Sequence, residues 1–494
     1  MRRRFALSLA LAALALALVT TVNASVGPLV LASGPSPFAP GCEGGNQSGT
    51  NYLNAEVEPW VDVNPTNPAN IIGVYQQDRW SNGGAHGLVA SVSHDGGATW
   101  SRSWAHFSLC SGGTPANGGD FERTSDPWVT FAPNGHAYQI AISFNDTNGV
   151  NGVLVSKSTD GGDHWSEPTT LVRDDALVAP FFFHDKESIT ADPTNANYVY
   201  AVWDRLHHPG QHEDTTASFH SVAFRGDAMF SRTTNGGASW EPARAIFEPQ
   251  ANLFTIGHQI VVLPNGTLVD IFDLGQGSGK QPAQAGKFNE AVMRSTDKGV
   301  TWSEPILIGP EAAVVVRDPD TGERVRTGAG LPDIAVDPGN GNLYAVWESS
   351  IFSGGDRNDI AFSHSLDGGL TWSTPIKVNA TPAPVAAFTP SVHVTPDHTV
   401  AVTYYDFRNN TADPSTLPTD YWIIYSHDAG STWGNEAHIA GPFDMKTAPV
   451  ARGFFVGDYE GLDNIGNQFV PFFVQANNGN TANRTDAFFT TATP

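Results

Sequence analysis

The chain has 494 residues and a formal net charge of −24, with 26 Lys and Arg against 50 Asp and Glu. So acidic a surface repels nucleic acid and anionic membranes. An anionic ligand is accommodated only where arginines gather locally.

The first residues, MRRRFALSLALAALALALVTTVNA, place three arginines before a short apolar run and end on Val22 and Ala24. This predicts a secretory signal peptide cut after Ala24. No later segment has the unbroken apolar length of a membrane span. Residues 25–48 read as an N-terminal extension and 49–494 as one domain. Cys42 and Cys110, the only cysteines, are expected to form one disulfide in an exported chain, tying the extension to the end of the first repeat.

An octapeptide recurs: SHDGGATW (93–100), STDGGDHW (158–165), TTNGGASW (233–240), STDKGVTW (295–302), SLDGGLTW (365–372) and SHDAGSTW (426–433). Before each copy stand two apolar strands joined by a Pro/Asn/Gly turn, as in PWVDVNPTNPANIIGVY (59–75) and DIAVDPGNGNLYAVW (333–347). A third strand runs into the octapeptide and a fourth follows its Trp. Each repeat is therefore a four-stranded antiparallel sheet, the unit of a β-propeller. A seventh, degenerate strand pair, YEGLDNIGNQFVPFFV (459–474), predicts seven blades; six blades plus an outlying hairpin is the alternative. The last repeat stops after its third strand, TDAFFTTATP (485–494). The segment GTNYLNAEV (49–57) is predicted to supply the missing fourth strand and close the ring.

The octapeptides resemble the Asp boxes of bacterial and viral-type sialidases and other secreted propellers, and the resemblance covers residues 58–494. Asp95, Asp160, Asn235, Asp297, Asp367 and Asp428 head these boxes, and their expected role is structural, as acceptors for turn amides. The boxes lie between strands 3 and 4, so function is expected on the opposite face, near the start of each strand 1 and the end of each strand 2.

Polar residues recur at those positions. Asp78-Arg79, Asp204-Arg205 and Asp406-Phe407-Arg408 each follow a second strand. Arg79, Arg205 and Arg408 resemble the arginine triad that holds the substrate carboxylate in sialidases, a bidentate task suited to guanidinium. Asp204, Asp333, Glu348 and Asp406 join them as expected substrate-binding residues. FFFHDKESI (181–189) crowds His184, Asp185, Lys186 and Glu187 at a strand start. The resemblance implies a Tyr nucleophile paired with a Glu and an Asp acid/base; Asp126, Glu187, Tyr405, Tyr459 and Glu460 are the catalytic candidates. The Arg-Ile-Pro motif of sialidases is absent.

His207, His208 and His212 read as a solvated loop rather than a metal site. No metal or other cofactor is required, although the oxygen-rich loops suit a structural Ca²⁺. The expected protein is a secreted, monomeric exo-glycoside hydrolase removing a terminal acidic sugar from extracellular glycans. A non-catalytic glycan- or protein-binding propeller and a polysaccharide lyase are the alternatives.

Overall fold

A computed structural model describes residues 24–207, 225–249, 253–276 and 288–494. Residues 1–23 of the expected signal peptide, and His208 and His212, lie outside the described residues.

Two short strands come first, β1 (Ser25–Val26) and β2 (Val30–Leu31). Four-stranded antiparallel units then follow in chain order. The first comprises β3 (Glu56–Val63), β4 (Ile71–Arg79), β5 (Ala85–Ser93) and β6 (Ser101–Ser103). The next is β7 (Arg123–Phe131), β8 (Ala137–Phe144), β9 (Val150–Ser158) and β10 (Thr169–Asp175). After it come β11 (Phe182–Ala191), β12 (Val199–His207), β13 (Arg225–Thr233) and β14 (Arg244–Phe247). β15 (Leu253–Val262), β16 (Leu268–Gln276), β17 (Phe288–Ser295) and β18 (Ile306–Pro310) repeat the pattern. So do β19 (Asp333–Val336), β20 (Leu343–Ser349), β21 (Asp359–Ser365) and β22 (Ile376–Lys377). β23 (Ala387–Val394), β24 (Val400–Asp406), β25 (Pro418–Ser426) and β26 (Gly434–Asp444) follow. The chain ends with β27 (Gly461–Ile465), β28 (Gln468–Ala476), β29 (Thr485–Phe489) and β30 (Ala492–Thr493).

The first strands β3, β7, β11, β15, β19, β23 and β27 pack side by side in that order, and β27 returns to β3. This is the cyclic arrangement of a β-propeller. Among the described residues, no helix is long and apolar enough to cross a membrane.

Neighbouring first strands are joined by side chains that bond across the gap. Asp62 accepts from Phe131 N (2.6 Å), Thr130 Oγ1 from Ala191 N (3.2 Å), and Thr190 Oγ1 donates to Ile260 O (2.7 Å). Gln259 accepts from Ile334 N (3.2 Å), Asp333 from Val392 N (2.7 Å), and Asp463 from Val63 N (2.7 Å). Between β23 and β27 the link is His393 Nε2 to Asn464 Oδ1, at 2.8 Å.

The octapeptides are built as an Asx-type turn. Asp95 Oδ1 accepts from Thr99 N (2.8 Å), Ser93 Oγ accepts from Gly97 N (2.9 Å), and Trp100 Nε1 donates to Gly97 O (3.1 Å). Asp160, Asn235, Asp297, Asp367 and Asp428 accept the equivalent amide in their own turns. Both central positions have positive φ, yet Lys298 and Ala429 are tolerated at the first. The second is glycine in every copy, and in four of them a Cβ there would run into an aromatic ring of the preceding unit: Phe489 at Gly97, Tyr138 at Gly237, Phe230 at Gly299 and Phe362 at Gly430. The octapeptide thus packs one sheet onto another, and Trp100 lies 5.3 Å from Phe489.

The last unit is completed by the N-terminal segment, but through residues 25–31; of residues 49–57, Ala55 makes an isolated bridge to Thr485. Val30 and Leu31 of β2 pair with Phe489 and Phe488 of β29, and Ser25 and Val26 of β1 pair with Thr493 and Ala492 of β30. Residues 56 and 57 instead open β3, where their alternation faces both sheets. The extension therefore lies in the sheet as its outer strand. Cys42 and Cys110 form the expected disulfide.

Deleting residues 24–31 uncovers the outer edge of β29. The melting temperature is expected to fall by several degrees, and the exposed Phe488 edge to bind a hydrophobic dye. Thermal melts of full-length and truncated protein check this.

Candidate functional site

The first strands contain Glu58-Pro59-Trp60, Asp126-Pro127-Trp128 and Thr389-Pro390-Ser391. Proline has no N–H to give a ladder, so inside a sheet it marks an edge or a bulge. The pairing register shifts at each of these places, and also between Asp185 and Ser188 and between Ile256 and Gln259. The bulged residues have positive φ: Glu58 54°, Asp126 54°, Lys186 48°, Gly257 78° and Thr389 49°. For the non-glycine residues such backbone costs about 1–3 kcal/mol each, and it persists where its surroundings hold it.

Three of these side chains meet. Lys186 Nζ lies 3.0 Å from Asp458 Oδ2, 3.4 Å from Glu58 Oε1 and 3.5 Å from Asp126 Oδ2. Burial alone would lower the Lys186 pKa, but Asp126, Asp458, Glu58 and Asp185 hold it well above its ordinary value. Arg326 makes a bidentate pair with Asp458, at 3.0 and 2.5 Å. Arg79 lies 3.6 Å from Glu58 and donates to Gln76. Burial, reinforced by Asp126, raises the Glu58 carboxyl to about 8.

Above this cluster opens a cavity of about 420 Å³. Arg79, Arg326 and Arg452 line it with Asp126, Asp185, Lys186 and Asp458. Its other wall carries Asp273 and Glu311, and apolar groups such as Phe144, Phe183 and Leu331 complete it. Arg452 is exposed to the cavity. Enclosure by the walls, then the neighbouring Arg326 and Arg79, lower its pKa to about 10. Burial raises Asp185 to about 6 and Glu311 to about 7.

Of the residues read from the sequence, Arg79, Asp126, Asp185 and Lys186 line this cavity. Arg79, Arg205 and Arg408 do not form one clamp: they share no partner. Arg205 pairs with Asp227 at 2.6 Å and stacks over Phe182. Arg408 is bound by Asp406 and Glu436 and stacks over Trp422. Asp204 and Glu348 prove to be supports: they accept the bulge N–H of the following unit, at Gly257 (2.9 Å) and Thr389 (3.0 Å). Asp333 bonds the next first strand in the same way.

Tyr405 and Glu460 do form a pair, but a buried one. The Tyr405 hydroxyl donates to Val474 O (2.6 Å), whose own N–H donates to Glu460 (3.1 Å), and both side chains are fully enclosed. Burial, then Glu460, pushes the Tyr405 pKa well up, the opposite of what an activated nucleophile needs. Tyr459 packs against Trp60 and Trp128 beneath Lys186. Its pKa too is raised, by burial and by Glu58. Glu187 bonds Ile142 N of the neighbouring unit. Arg326, Arg452 and Glu311 were missed by sequence reading. Arg326 and Arg452 sit in inter-unit segments without repeat pattern, so no periodic signal marked them.

Among the described residues, one group of potential metal ligands has its atoms within 4.8 Å of one another: Cys42, Glu43, His86 and Cys110. Its two sulfurs are consumed by the disulfide.

No family model matches the chain. Xyloglucanase Xgh74A of Acetivibrio thermocellus is 24% identical over 244 residues, which is 48% of this chain. The aligned part is 25% of that relative's own length. Among solved structures, the Hadza microbial sialidase Hz136 is similar at 14% identity over 86% of this chain and 73% of its own, with a TM-score of 0.45. A Penicillium chrysogenum alpha-L-arabinanase complexed with arabinobiose is similar at 12% identity over 94% and 98% of the two chains, with a TM-score of 0.47.

The acidic wall of the cavity continues inward. Asp273 faces Glu290 across the β16–β17 ladder. Both oxygens of Glu290 and Oδ1 of Asp273 are buried without a hydrogen-bond partner. Burial raises the Glu290 pKa well above its ordinary value, and Glu311 raises it further. A carboxyl whose pKa is higher in the folded than in the unfolded chain contributes stability at low pH that is lost as pH rises through the folded value. Glu290→Gln is therefore expected to gain on wild type by about 1–3 kcal/mol between pH 5 and pH 8. Denaturant melts at the two pH values measure it.

Proposed function

We propose that the chain is an exported, seven-bladed Asp-box β-propeller that hydrolyses the bond to a terminal acidic sugar of an extracellular glycan. The cyclic contact of the seven first strands supports the blade count. The observation that carries the activity is the gathering of Arg79, Arg326 and Arg452 on one wall of a cavity whose other wall bears carboxyls of raised pKa. In a chain with a charge of −24, such a local surplus of guanidinium is a built anion site. Arg452 is exposed to the cavity and offers its planar fork to a sugar carboxylate, with Arg326 and Arg79 beside it. Glu311, with its pKa near 7, is protonated often enough at neutral pH to give its proton to the leaving oxygen. Asp126, on the Lys186 side of the cavity, faces the sugar as the second carboxylate of a hydrolytic pair.

Hydrolysis of a fluorogenic sialoside tests this. Arg452→Ala, which breaks no ion pair among the described residues, is expected to lower kcat/KM roughly 10- to 100-fold, the worth of one charged hydrogen-bonding contact. In wild type kcat/KM is expected to fall as pH rises through about 7, where Glu311 loses its proton, and that limb disappears in Glu311→Gln. Turnover unaffected by Arg452→Ala would reject the assignment, and glycan binding without any turnover would make the protein a recognition propeller instead.

A further inference from the structure

A second cavity of about 430 Å³ adjoins the central one, within the roughly 300–1,000 Å³ range of small-molecule sites. Val314, Val315 and Val316 line both cavities, so a wall three residues long separates them. Val315 is 46% exposed, an apolar crest that is open to solvent. The second cavity takes in the Asp-Phe-Arg motif that the central site left unused, for Phe407 and Arg408 line it.

Its chemistry differs from that of its neighbour. Its arginines are offset by carboxylates: Arg317, which donates to Gly322 O, shares the lining with Asp320 and Asp356. Arg408 is held by Asp406 and Glu436 at 2.7 and 2.6 Å, and Arg357 lies 3.5 Å from Asp359. No surplus of guanidinium remains to select an anion. What remains is an apolar side, Phe407 with Val385, and a polar side, Arg357 with Asn410. Arg357 Nε and Asn410 Oδ1 are without a hydrogen-bond partner, and an unmet buried donor or acceptor favours a ligand that supplies one. One apolar face and one edge of donors and acceptors match a neutral pyranose, which has a C–H face and a hydroxyl rim.

We infer that this second cavity is a subsite for neutral sugar on the leaving-group side of the bond cleaved, so that the substrate is an oligosaccharide lying across the Val314–Val316 wall. The inference rests on the central cavity being the site for the acidic terminal sugar.

The experiment compares a short sialoside, 4-methylumbelliferyl-N-acetylneuraminic acid, with a sialylated pentasaccharide. Wild type is expected to show a kcat/KM about 10-fold higher for the pentasaccharide, the gain from one good polar contact. In Arg357→Ala the long-to-short ratio is expected to fall to about one. A ratio near one in wild type, or a ratio unchanged in Arg357→Ala, overturns the inference while leaving the central site intact. Asn410→Ala, in an outer loop, replaces the first variant if that one fails to fold by circular dichroism. If neither sialoside is hydrolysed, the reading of the central cavity falls. The second cavity is then judged by calorimetric binding of the neutral tetrasaccharide lacto-N-neotetraose. Binding lost in Arg357→Ala supports the subsite, and no binding overturns it.

Discussion

Around the axis the sheets meet by their first strands, and they share almost no backbone ladder there. What fastens one to the next is a side-chain oxygen or amide reaching across the gap to a backbone group: Asp62 to Phe131 N, Asp333 to Val392 N, Asp463 to Val63 N. A carboxylate buried in such a place would be costly if left unpaired. Bonded to an N–H that otherwise has no partner, it satisfies two polar groups at once. Every other feature of the centre depends on these bonds, because they set how closely the first strands approach and therefore what the bulges can reach.

The bulges convert that closeness into chemistry. A regular strand would send Glu58, Asp126 and Lys186 into the pleat with their neighbours. The positive φ at each turns the side chain out of the alternation, and Lys186 then meets three carboxylates from three units. Asp204 and Glu348 hold two further bulges by accepting their amides. The strain is local and is held from the next sheet. The first and last units meet through the same lysine, since Glu58 and Asp458 both bind it, so the charge cluster also helps hold the ring where the two ends of the chain come together.

Charge is divided unevenly around the cavity. One wall gathers guanidinium and ammonium groups among carboxylates, whereas the other, at Asp273, Glu290 and Glu311, has acids with no cation paired to them among the described residues. Burial lifts the pKa of these acids, and a protonated carboxyl can donate where an ionised one cannot. In the proposed reaction the guanidinium wall holds the anion and the acidic wall gives the proton.

The sequence by itself determined the repeat and the four-stranded unit, because the octapeptide is a local structure. Its Ser or Thr, its Asp or Asn and the amides of the turn satisfy each other within eight residues, so their spacing is visible in one dimension. The bulges were half legible, in the Glu58-Pro59 and Asp126-Pro127 pairs that no regular inner strand would carry. Which strand closes the last sheet was not legible: Val30-Leu31 and residues 49–57 are both short extended segments, and only packing against Phe488 and Phe489 chose between them. Nor was the arginine set. Arg205 and Arg408 share a local motif with Arg79, but a guanidinium takes the nearest carboxylate with suitable geometry, and Asp227, Asp406 and Glu436 stand closer than any axis. Arg326 and Arg452 come from irregular segments whose course is fixed by tertiary contacts alone, so only the folded chain could bring them to the cavity.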